Sequence, residues 1–247
     1  MTNLVLVTGG TGRLGRLVTA RLRAAGATVR VLSRTPGADA VGDLSTGAGL
    51  SEAVSGADVV LHCATNPKGD AAATGNLIAA LTARPHFVYI SVVGVDAAPG
   101  WGYTREKLSS ERLVEQSGLP FTILRATQFF DYVLAPMRKL ARFPIVPAPA
   151  GFPVQPVDAA EVADRLAGLT LSPPSGHVPD MAGPERLTWS DMQRAYLRAT
   201  SRRRWLLPLW LPGMAKIRNG ALLPRPGYTS GTRTFASFLR ESGYVRR

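Results

Sequence analysis

Short apolar runs alternate with helical patterns along the first half of the chain. Residues 3–10, NLVLVTGG, hold a short apolar run at 4–7 that ends in glycines, as buried strands show. Residues 12–26, GRLGRLVTARLRAAG, place apolar positions at helical spacing and end at a glycine. This alternation predicts parallel βαβ units, and therefore an α/β fold with a doubly wound parallel sheet of the Rossmann type.

The same pattern continues to residue 130. Further strand-like runs are residues 27–34, 38–44, 57–65, 86–94 and 120–130. Helical segments between them are residues 49–56, 69–85 and 102–118. Beyond residue 130, helical periodicity returns at 159–171 and 187–200, and Asp158 and either Thr188 or Ser190 are the expected caps. We predict a nucleotide-binding domain over 1–130 and a smaller, partly helical substrate lobe over 131–247, the two intertwined.

Two segments of this lobe are rich in proline. Residues 143–158, FPIVPAPAGFPVQPVD, cannot form a long regular element. Residues 205–217, WLLPLWLPGMAKI, are apolar, but Pro208 and Pro212 interrupt any helix, and 13 residues are too few to span a bilayer. We expect this second segment to be buried, most simply as a roof over an apolar, quinone-like substrate. A subunit interface and a peripheral membrane contact are the alternatives.

Composition narrows the class of protein. Hydrophobic residues make up 45% of the 247 residues, as a globular core requires, and no apolar run approaches the ~20 residues of a membrane span. Cys63 is the single cysteine, and the first residues lack the basic region of a signal peptide. We therefore expect a cytoplasmic protein, a monomer or homodimer. Three histidines without a Cys/His cluster predict no metal site.

The net charge of +12 is concentrated near the end of the chain. Residues 1–185 carry 16 Lys/Arg against 15 Asp/Glu, whereas residues 186–247 carry 13 against 2. Such an excess suits either an anionic partner or an arginine-rich solvated surface. We favour the surface and expect no specific nucleic-acid binding, because no nucleic-acid fold signature accompanies the charge.

A glycine-rich turn follows the first strand. Val7–Gly15, VTGGTGRLG, joins a strand to a helix, which is the setting of a dinucleotide phosphate loop. The glycines permit a tight turn, a close approach of backbone to a pyrophosphate, and close packing of helix on strand. We expect the cofactor to contact this loop through Gly9, Thr11, Gly12, Arg13, Leu14 and Gly15.

The end of the second strand bears on the choice of cofactor. NAD sites offer an acidic residue there for the ribose 2′-hydroxyl, but this chain has Ser33 and Arg34. Because a guanidinium suits a 2′-phosphate, we expect NADP(H) to be preferred over NAD(H). Asp43 and Leu44 follow the third strand and are candidates for the adenine site, although Asp43 suits a plain cap nearly as well.

A tyrosine precedes a lysine by four residues in GYTREK, residues 102–107. On a helix these side chains share a face, and an ammonium beside a phenol lowers the pKa of the phenol. Tyr103 is thus a candidate proton donor to a carbonyl oxygen. The spacing alone is equally compatible with the polar start of an amphipathic helix.

The motifs taken together resemble a known family. TGGTGRLG, GDL, YISVVG, GYTREKLSSERLVEQSGLPFTILRATQFF and VDAAEVADRLAGL occur in the order found in NmrA-like, atypical short-chain dehydrogenase/reductases. The resemblance covers nearly the whole chain and is strongest over 3–170. It implies dinucleotide binding, with a contact to the cofactor after the fourth strand, at Ala64 and Thr65.

The resemblance also assigns a catalytic set. In that superfamily a serine after the fifth strand, a tyrosine, and a lysine four residues later act together, and Ser91, Tyr103 and Lys107 fill these positions. Tyr103 would be the general acid. Lys107 would lower its pKa and bind the nicotinamide ribose, and Ser91 would bind the substrate oxygen.

Three functions are compatible with this pattern. The first is an NADPH-dependent reductase of a small carbonyl or quinone-like substrate. The second is a non-catalytic protein that senses NADP(H). The third, a sugar-nucleotide epimerase or dehydratase, is disfavoured because the C-terminal lobe looks too short for a nucleotide sugar.

Overall fold

Strands and helices alternate up to residue 126, as the hydrophobic pattern predicts. The computed structural model describes residues 3–97 and 102–243. Its elements in this part are β1 (Leu4–Thr8), α1 (Arg13–Ala24), β2 (Thr28–Ser33), β3 (Ala40–Val41), α2 (Leu50–Val54), β4 (Val59–His62), α3 (Asp70–Ala79), β5 (His86–Val92), α4 (Gly102–Gln116) and β6 (Phe121–Ala126).

The rest of the chain is a mixture of helices and short strands. These elements are α5 (Phe130–Leu140), β7 (Ile145–Pro149), β8 (Pro153–Val154), α6 (Ala159–Thr170), β9 (Gly176–His177), β10 (Met181–Ala182), β11 (Leu187–Thr188), α7 (Trp189–Ala199), β12 (Trp205–Leu209), α8 (Ala215–Arg218), β13 (Thr229–Ser230) and α9 (Phe235–Glu241).

The principal sheet has the order β3-β2-β1-β4-β5-β6. β1 pairs in parallel with both β2 and β4, and β4 pairs in parallel with β5. This is the doubly wound order of the Rossmann fold, so the predicted fold class is confirmed. The chain changes direction across the sheet between β1 and β4, which is where such folds bind ligands.

The chain forms two compact units. The first unit comprises Met1–Arg125 and Ala159–Pro179, and the second comprises Ala126–Asp158 and Asp180–Arg247. Residues 159–179 therefore belong to the first unit. The boundary predicted from the sequence, at residue 130, assigns them instead to the substrate lobe. The reason is packing: α6 lies along α1, and Arg21 forms an ion pair with Asp164.

The second unit has its own apolar core. Phe130, Met137, Met192, Phe235 and Phe238 are buried together between α5, α7 and α9. At the start of α7 the Thr188 hydroxyl accepts a hydrogen bond from the N–H of Asp191, while the Asp191 carboxylate accepts one from the N–H of Thr188. This capping box confirms Thr188 as the cap of that helix.

The apolar segment after α7 differs from expectation. Residues Trp205–Leu209 form strand β12, which pairs in parallel with β7. Prolines fit in both strands because a two-stranded ribbon leaves one side of each strand without ladder partners. The expected burial of this segment within the chain is wrong, since Trp205 is 82% and Trp210 is 73% exposed. Its burial against a second subunit stays a prediction. The inference of a roof, and of an apolar substrate beneath it, loses its support.

Helix α4 is held against the sheet by a buried ion pair. Arg125 on β6 donates two hydrogen bonds to Glu111 on α4, at 2.9 Å from Nε and 2.6 Å from Nη2. A third reaches Asp96 at 3.2 Å. Glu111 is buried, so its charge depends on this bidentate partner.

We therefore expect Glu111→Ala to lower the free energy of unfolding by about 3 kcal/mol, since it leaves Arg125 without its main partner in a buried position. Urea denaturation at pH 7 measures this loss. The control is Glu115→Ala on the same helix, which removes an exposed pair with His177 and should cost less than about 1 kcal/mol. Equal losses in the two variants would contradict the role given to Glu111.

Candidate cofactor-binding and active site

The phosphate loop packs too closely to accept side chains at two of its glycines. Gly9 has a left-handed backbone (φ +68°), and a Cβ there would lie 2.5 Å from the backbone nitrogen of Ala64. A Cβ on Gly15 would lie 2.1 Å from the Gly9 carbonyl oxygen. Both glycines are therefore needed for the turn and for the packing of α1 on the loop.

Gly12 has a different role, because its surroundings are open. A Cβ added there would meet only the Gly9 carbonyl oxygen, at 3.1 Å. Gly12 is the residue before α1, which begins at Arg13. It has no side chain that could cap the helix by accepting hydrogen bonds from the N–H groups of the first turn. Such a helix start favours an anion, so the loop fits the pyrophosphate of a dinucleotide. Contacts of Thr11, Arg13 and Leu14 with that group stay predictions.

The loop after β4 lies against this turn. The N–H of Ala64 donates to the Thr8 hydroxyl at 3.3 Å, which fixes the loop at the carboxyl end of β1. The Thr65 hydroxyl donates to Asp70 at 2.8 Å. The predicted cofactor residues Ala64 and Thr65 are thus brought next to the phosphate loop.

A concavity of about 480 Å³ borders the loop at Gly10 and Thr11. It is lined by Gly10, Thr11, Arg16, Thr19, Ala20, Arg23, Val31, Ala38 and Asp39. The Asp39 carboxylate is already engaged, since it accepts from the Val31 N–H at 3.0 Å and pairs with Arg23 at 3.1 Å. All of these residues lie between positions 10 and 39, but the sequence pattern gave no sign of the cluster, because only folding brings their side chains together.

Arg34 follows β2 and is exposed, so its guanidinium is open to a ligand. The Asp43 carboxylate instead accepts from the Ser45 N–H at 2.8 Å within its own turn. Leu44 packs against the core of the first unit, and its carbonyl accepts from Asn76 at 2.9 Å. The geometry favours the cap at Asp43, and its contact with adenine stays a prediction.

Lys107 is almost completely buried on α4, at 2% exposure. Its ammonium lies 3.2 Å from the Asp70 carboxylate, donates to the Ile90 carbonyl at 3.4 Å, and lies 4.9 Å from the centre of the Tyr89 ring. A buried ammonium requires such partners. Lys107 is therefore fixed beside β5, next to the residue that precedes Ser91.

Ser91 and Tyr103 differ sharply in exposure. The Ser91 hydroxyl is buried and makes no hydrogen bond within the part of the chain that the structure describes. Tyr103, in the first turn of α4, is 37% exposed. Lys107 lies one turn further along the helix, so a single helix carries an accessible phenol and a buried cation.

His62 is a packed strand residue of β4. Its ring nitrogens lie 2.6 Å from the Thr8 hydroxyl and 3.2 Å from the Thr74 hydroxyl, and the ring stacks on Tyr89. Burial, and secondarily the charge of Lys107, lower the pKa of His62 to about 3. The imidazole is therefore neutral at physiological pH.

Asp70 is the site residue that sequence reasoning missed. It opens α3, and its carboxylate also accepts from the backbone N–H of Asn66. One buried carboxylate thus joins the loop at Thr65 and Asn66 to the ammonium of Lys107. An acidic residue in the first turn of a helix is common, so its sequence position alone indicates only a favourable helix dipole interaction.

We expect Gly12→Val to stay folded and to lose cofactor binding, because the new side chain occupies the open space at the start of α1. Circular dichroism checks the fold and calorimetry with NADPH checks binding. Gly15→Val is the comparison and should fail to fold, since its Cβ meets backbone at 2.1 Å. A folded Gly12→Val variant that binds as tightly as the unaltered chain would refute the phosphate-loop assignment.

The chain is similar to known NAD(P)H-binding proteins. Residues 9–167 match the model of a family described as NAD(P)H-binding. The chain is also similar to a (4-alkanoyl-5-oxo-2,5-dihydrofuran-3-yl)methyl phosphate reductase from Streptomyces griseus subsp. griseus. The two are 30% identical over 211 residues, which cover 81% of this chain and 74% of that protein.

Solved structures share the fold at lower identity. An NADPH-dependent quinone oxidoreductase from Escherichia coli, complexed with NADPH, is 19% identical with a TM-score of 0.81, over 96% of this chain and 99% of that one. A nucleoside-diphosphate-sugar epimerase from Staphylococcus aureus is 16% identical with a TM-score of 0.80, over 97% and 100%. At such identities the likeness extends to the fold and not to the reaction. The family match covers more than half of the chain, which therefore belongs to the NAD(P)H-binding family, as its resemblance to the atypical short-chain dehydrogenase/reductases predicted.

Proposed function

We propose that this protein is an NADPH-dependent oxidoreductase that reduces a carbonyl or quinone-like substrate. The observation that carries the proposal is the arrangement on α4, where accessible Tyr103 lies one turn before buried Lys107, beside β5 and its Ser91. The phosphate loop of the same unit supplies a place for the cofactor. When bound, NADPH supplies the hydride.

Each residue of the set has a task that its surroundings suit. Tyr103 donates a proton to the substrate oxygen, which requires the access to solvent and ligand that it has. Ser91 offers a buried hydroxyl whose hydrogen-bonding capacity is unused in the described structure, as a group reserved for a ligand would be. Lys107 holds a ribose hydroxyl and adds positive charge near the phenol.

Asp70 sets the strength of that charge. Because its carboxylate lies 3.2 Å from the Lys107 ammonium, the pair affects the phenol less than a lone ammonium would. The Asp70 carboxylate also accepts hydrogen bonds from the Thr65 hydroxyl and the Asn66 N–H, so it fixes the cofactor loop and Lys107 together. We infer that Asp70 is a positioning residue.

The relative from Streptomyces griseus supports a carbonyl acceptor. The compound in its name is a dihydrofuran that carries an oxo group, an alkanoyl group and a methyl phosphate. We propose a related acceptor for this chain, in which a carbonyl group activates the molecule toward hydride. The phosphate of that substrate shows that such an acceptor need not be wholly apolar.

A second function is favoured by the same ion pair. If the neutralisation of Lys107 by Asp70 leaves Tyr103 an ordinary phenol, the protein would bind NADP(H) without turnover and report the redox state to a partner. Tight NADPH binding with no oxidation in the presence of quinones, ketones and conjugated lactones would favour this reading and contradict the reductase.

We expect NADPH to bind more tightly than NADH, because Arg34 offers a charge-assisted pair to the 2′-phosphate. Arg34→Ala should weaken the binding of NADPH by about 1.5–3 kcal/mol and leave the binding of NADH nearly unchanged. Calorimetry with both cofactors measures this difference. Arg112→Ala, which removes an exposed arginine on α4, is the control. Equal or tighter NADH binding by the unaltered chain would refute the preference.

We expect Tyr103→Phe to lower kcat about 10²–10⁴-fold with the NADPH affinity unchanged, because only the proton donor is lost. The oxidation of NADPH is followed by absorbance with a quinone and a conjugated lactone as acceptors. Asp70→Asn should instead change the pH profile of kcat and weaken the binding of NADPH. It removes the negative charge beside Lys107 and disturbs the loop at Thr65 at the same time. If Tyr103→Phe retains full turnover, the phenol is not the acid.

A further inference from the structure

The ribbon of β7 and β12 in the second unit is apolar on both faces. On the inner face, Val146 and Ala148 are buried and Leu206 packs against the core. The outer face pairs Trp205 with Ile145, Leu207 with Pro147, and Leu209 with Pro149. A ribbon that met only water would alternate apolar with polar residues, so its outer face is built for a partner.

Large side chains at this face are open to solvent. Phe143, Ile145, Trp205, Leu207, Leu209 and Trp210 are all exposed. Exposed apolar surface of this extent marks an interaction site.

Positive charge dominates the chain around the ribbon, although Arg194 is paired with Asp191 and Arg233 with Asp158 and Glu241. Residues 132–157 and 192–240 contain no Asp or Glu and contain 13 Lys/Arg: Arg138, Lys139, Arg142, Arg194, Arg198, Arg202, Arg203, Arg204, Lys216, Arg218, Arg225, Arg233 and Arg240.

Several of these cations are anchored at the ribbon. Arg202 and Arg204 donate to the Ala141 carbonyl at 3.2 and 3.4 Å, just before Phe143. The Arg218 guanidinium lies 4.9 Å from the centre of the Trp210 ring. The indole and aliphatic groups therefore lie among fixed positive charges.

We propose that the outer face of the β7–β12 ribbon docks on an anionic lipid membrane. Indole rings and aliphatic side chains enter the interfacial layer, and the surrounding arginines bind lipid phosphates. The contact is peripheral, since no helix within the described residues is long and apolar enough to cross a membrane. It is independent of the proposed reductase activity.

Two other occupants fit less well. A second copy docked face to face would bring the same cations together, and like charges at an interface oppose association. Single-stranded nucleic acid would satisfy the charge and could stack on Phe143 and Trp205. The other half of the exposed face is aliphatic, however, and Ile145, Leu207 and Leu209 offer bases no stacking surface.

The test uses the full chain with vesicles of phosphatidylcholine alone and of phosphatidylcholine with phosphatidylglycerol, at physiological salt. We expect sedimentation with the anionic vesicles only and a blue shift of tryptophan emission on binding. Trp205→Ser combined with Leu207→Ser should lower the partition coefficient at least about tenfold, as should Arg203→Gln combined with Lys216→Gln.

The matched controls are Leu171→Ser and Arg112→Gln, which alter an exposed leucine and an exposed arginine of the first unit and should leave binding unchanged. Melting curves establish that each variant is folded. Binding to both vesicle types alike, or binding insensitive to the Trp205/Leu207 pair, overturns the proposal. The proposal is also overturned if light scattering finds a dimer that the Trp205/Leu207 substitutions dissociate. It is overturned as well if an oligonucleotide binds at physiological salt and the same substitutions abolish that binding.

Discussion

The site in the first unit depends on charges that are buried on or beside helix α4. Glu111 is held by Arg125 of β6, and Lys107 is held by Asp70 of α3. A charge taken out of water is tolerable only when its partner is present, so each pair constrains two elements at once. Loss of either partner would leave the other uncompensated and would release the helix that carries Tyr103.

This constraint also links the cofactor loop to the catalytic candidates. Asp70 accepts from Thr65 and from the N–H of Asn66 while it binds Lys107. A shift of the loop after β4 therefore moves Asp70 and with it the partner of Lys107. A shift of Lys107 displaces the loop through the same carboxylate. Buried networks of this kind specify one arrangement because every member must be satisfied together.

The local patterns along the chain predict the fold of the first unit well. Strand burial, helix periodicity and the glycines of the phosphate loop are set by neighbours in sequence, and they indicate the Rossmann order before any contact is known. The partner of Lys107 could not be predicted in this way, because Asp70 lies 37 residues earlier and meets it only through packing. The same limit applies to α6. Its helical pattern is clear from the sequence, but its position beside α1 depends on tertiary packing. Pro208 and Pro212 argued against a helix over 205–217, yet a parallel partner in β7 made an exposed strand possible over 205–209.

The packing of His62 has a consequence for the behaviour of the protein in acid. In the unfolded chain this imidazole takes up a proton near its ordinary pKa of 6.5, whereas in the folded chain it resists protonation down to about 3. Burial also lowers the pKa of His86, in the same direction. The stability that the neutral His62 ring contributes is complete above pH 6.5 and is lost as the pH falls toward 3, by up to about 1.4 kcal/mol per pH unit. His86 adds a loss in the same direction. Protonation of these two histidines in the unfolded chain therefore opposes folding in acid, and it destabilises the first unit as the pH falls below 6.5.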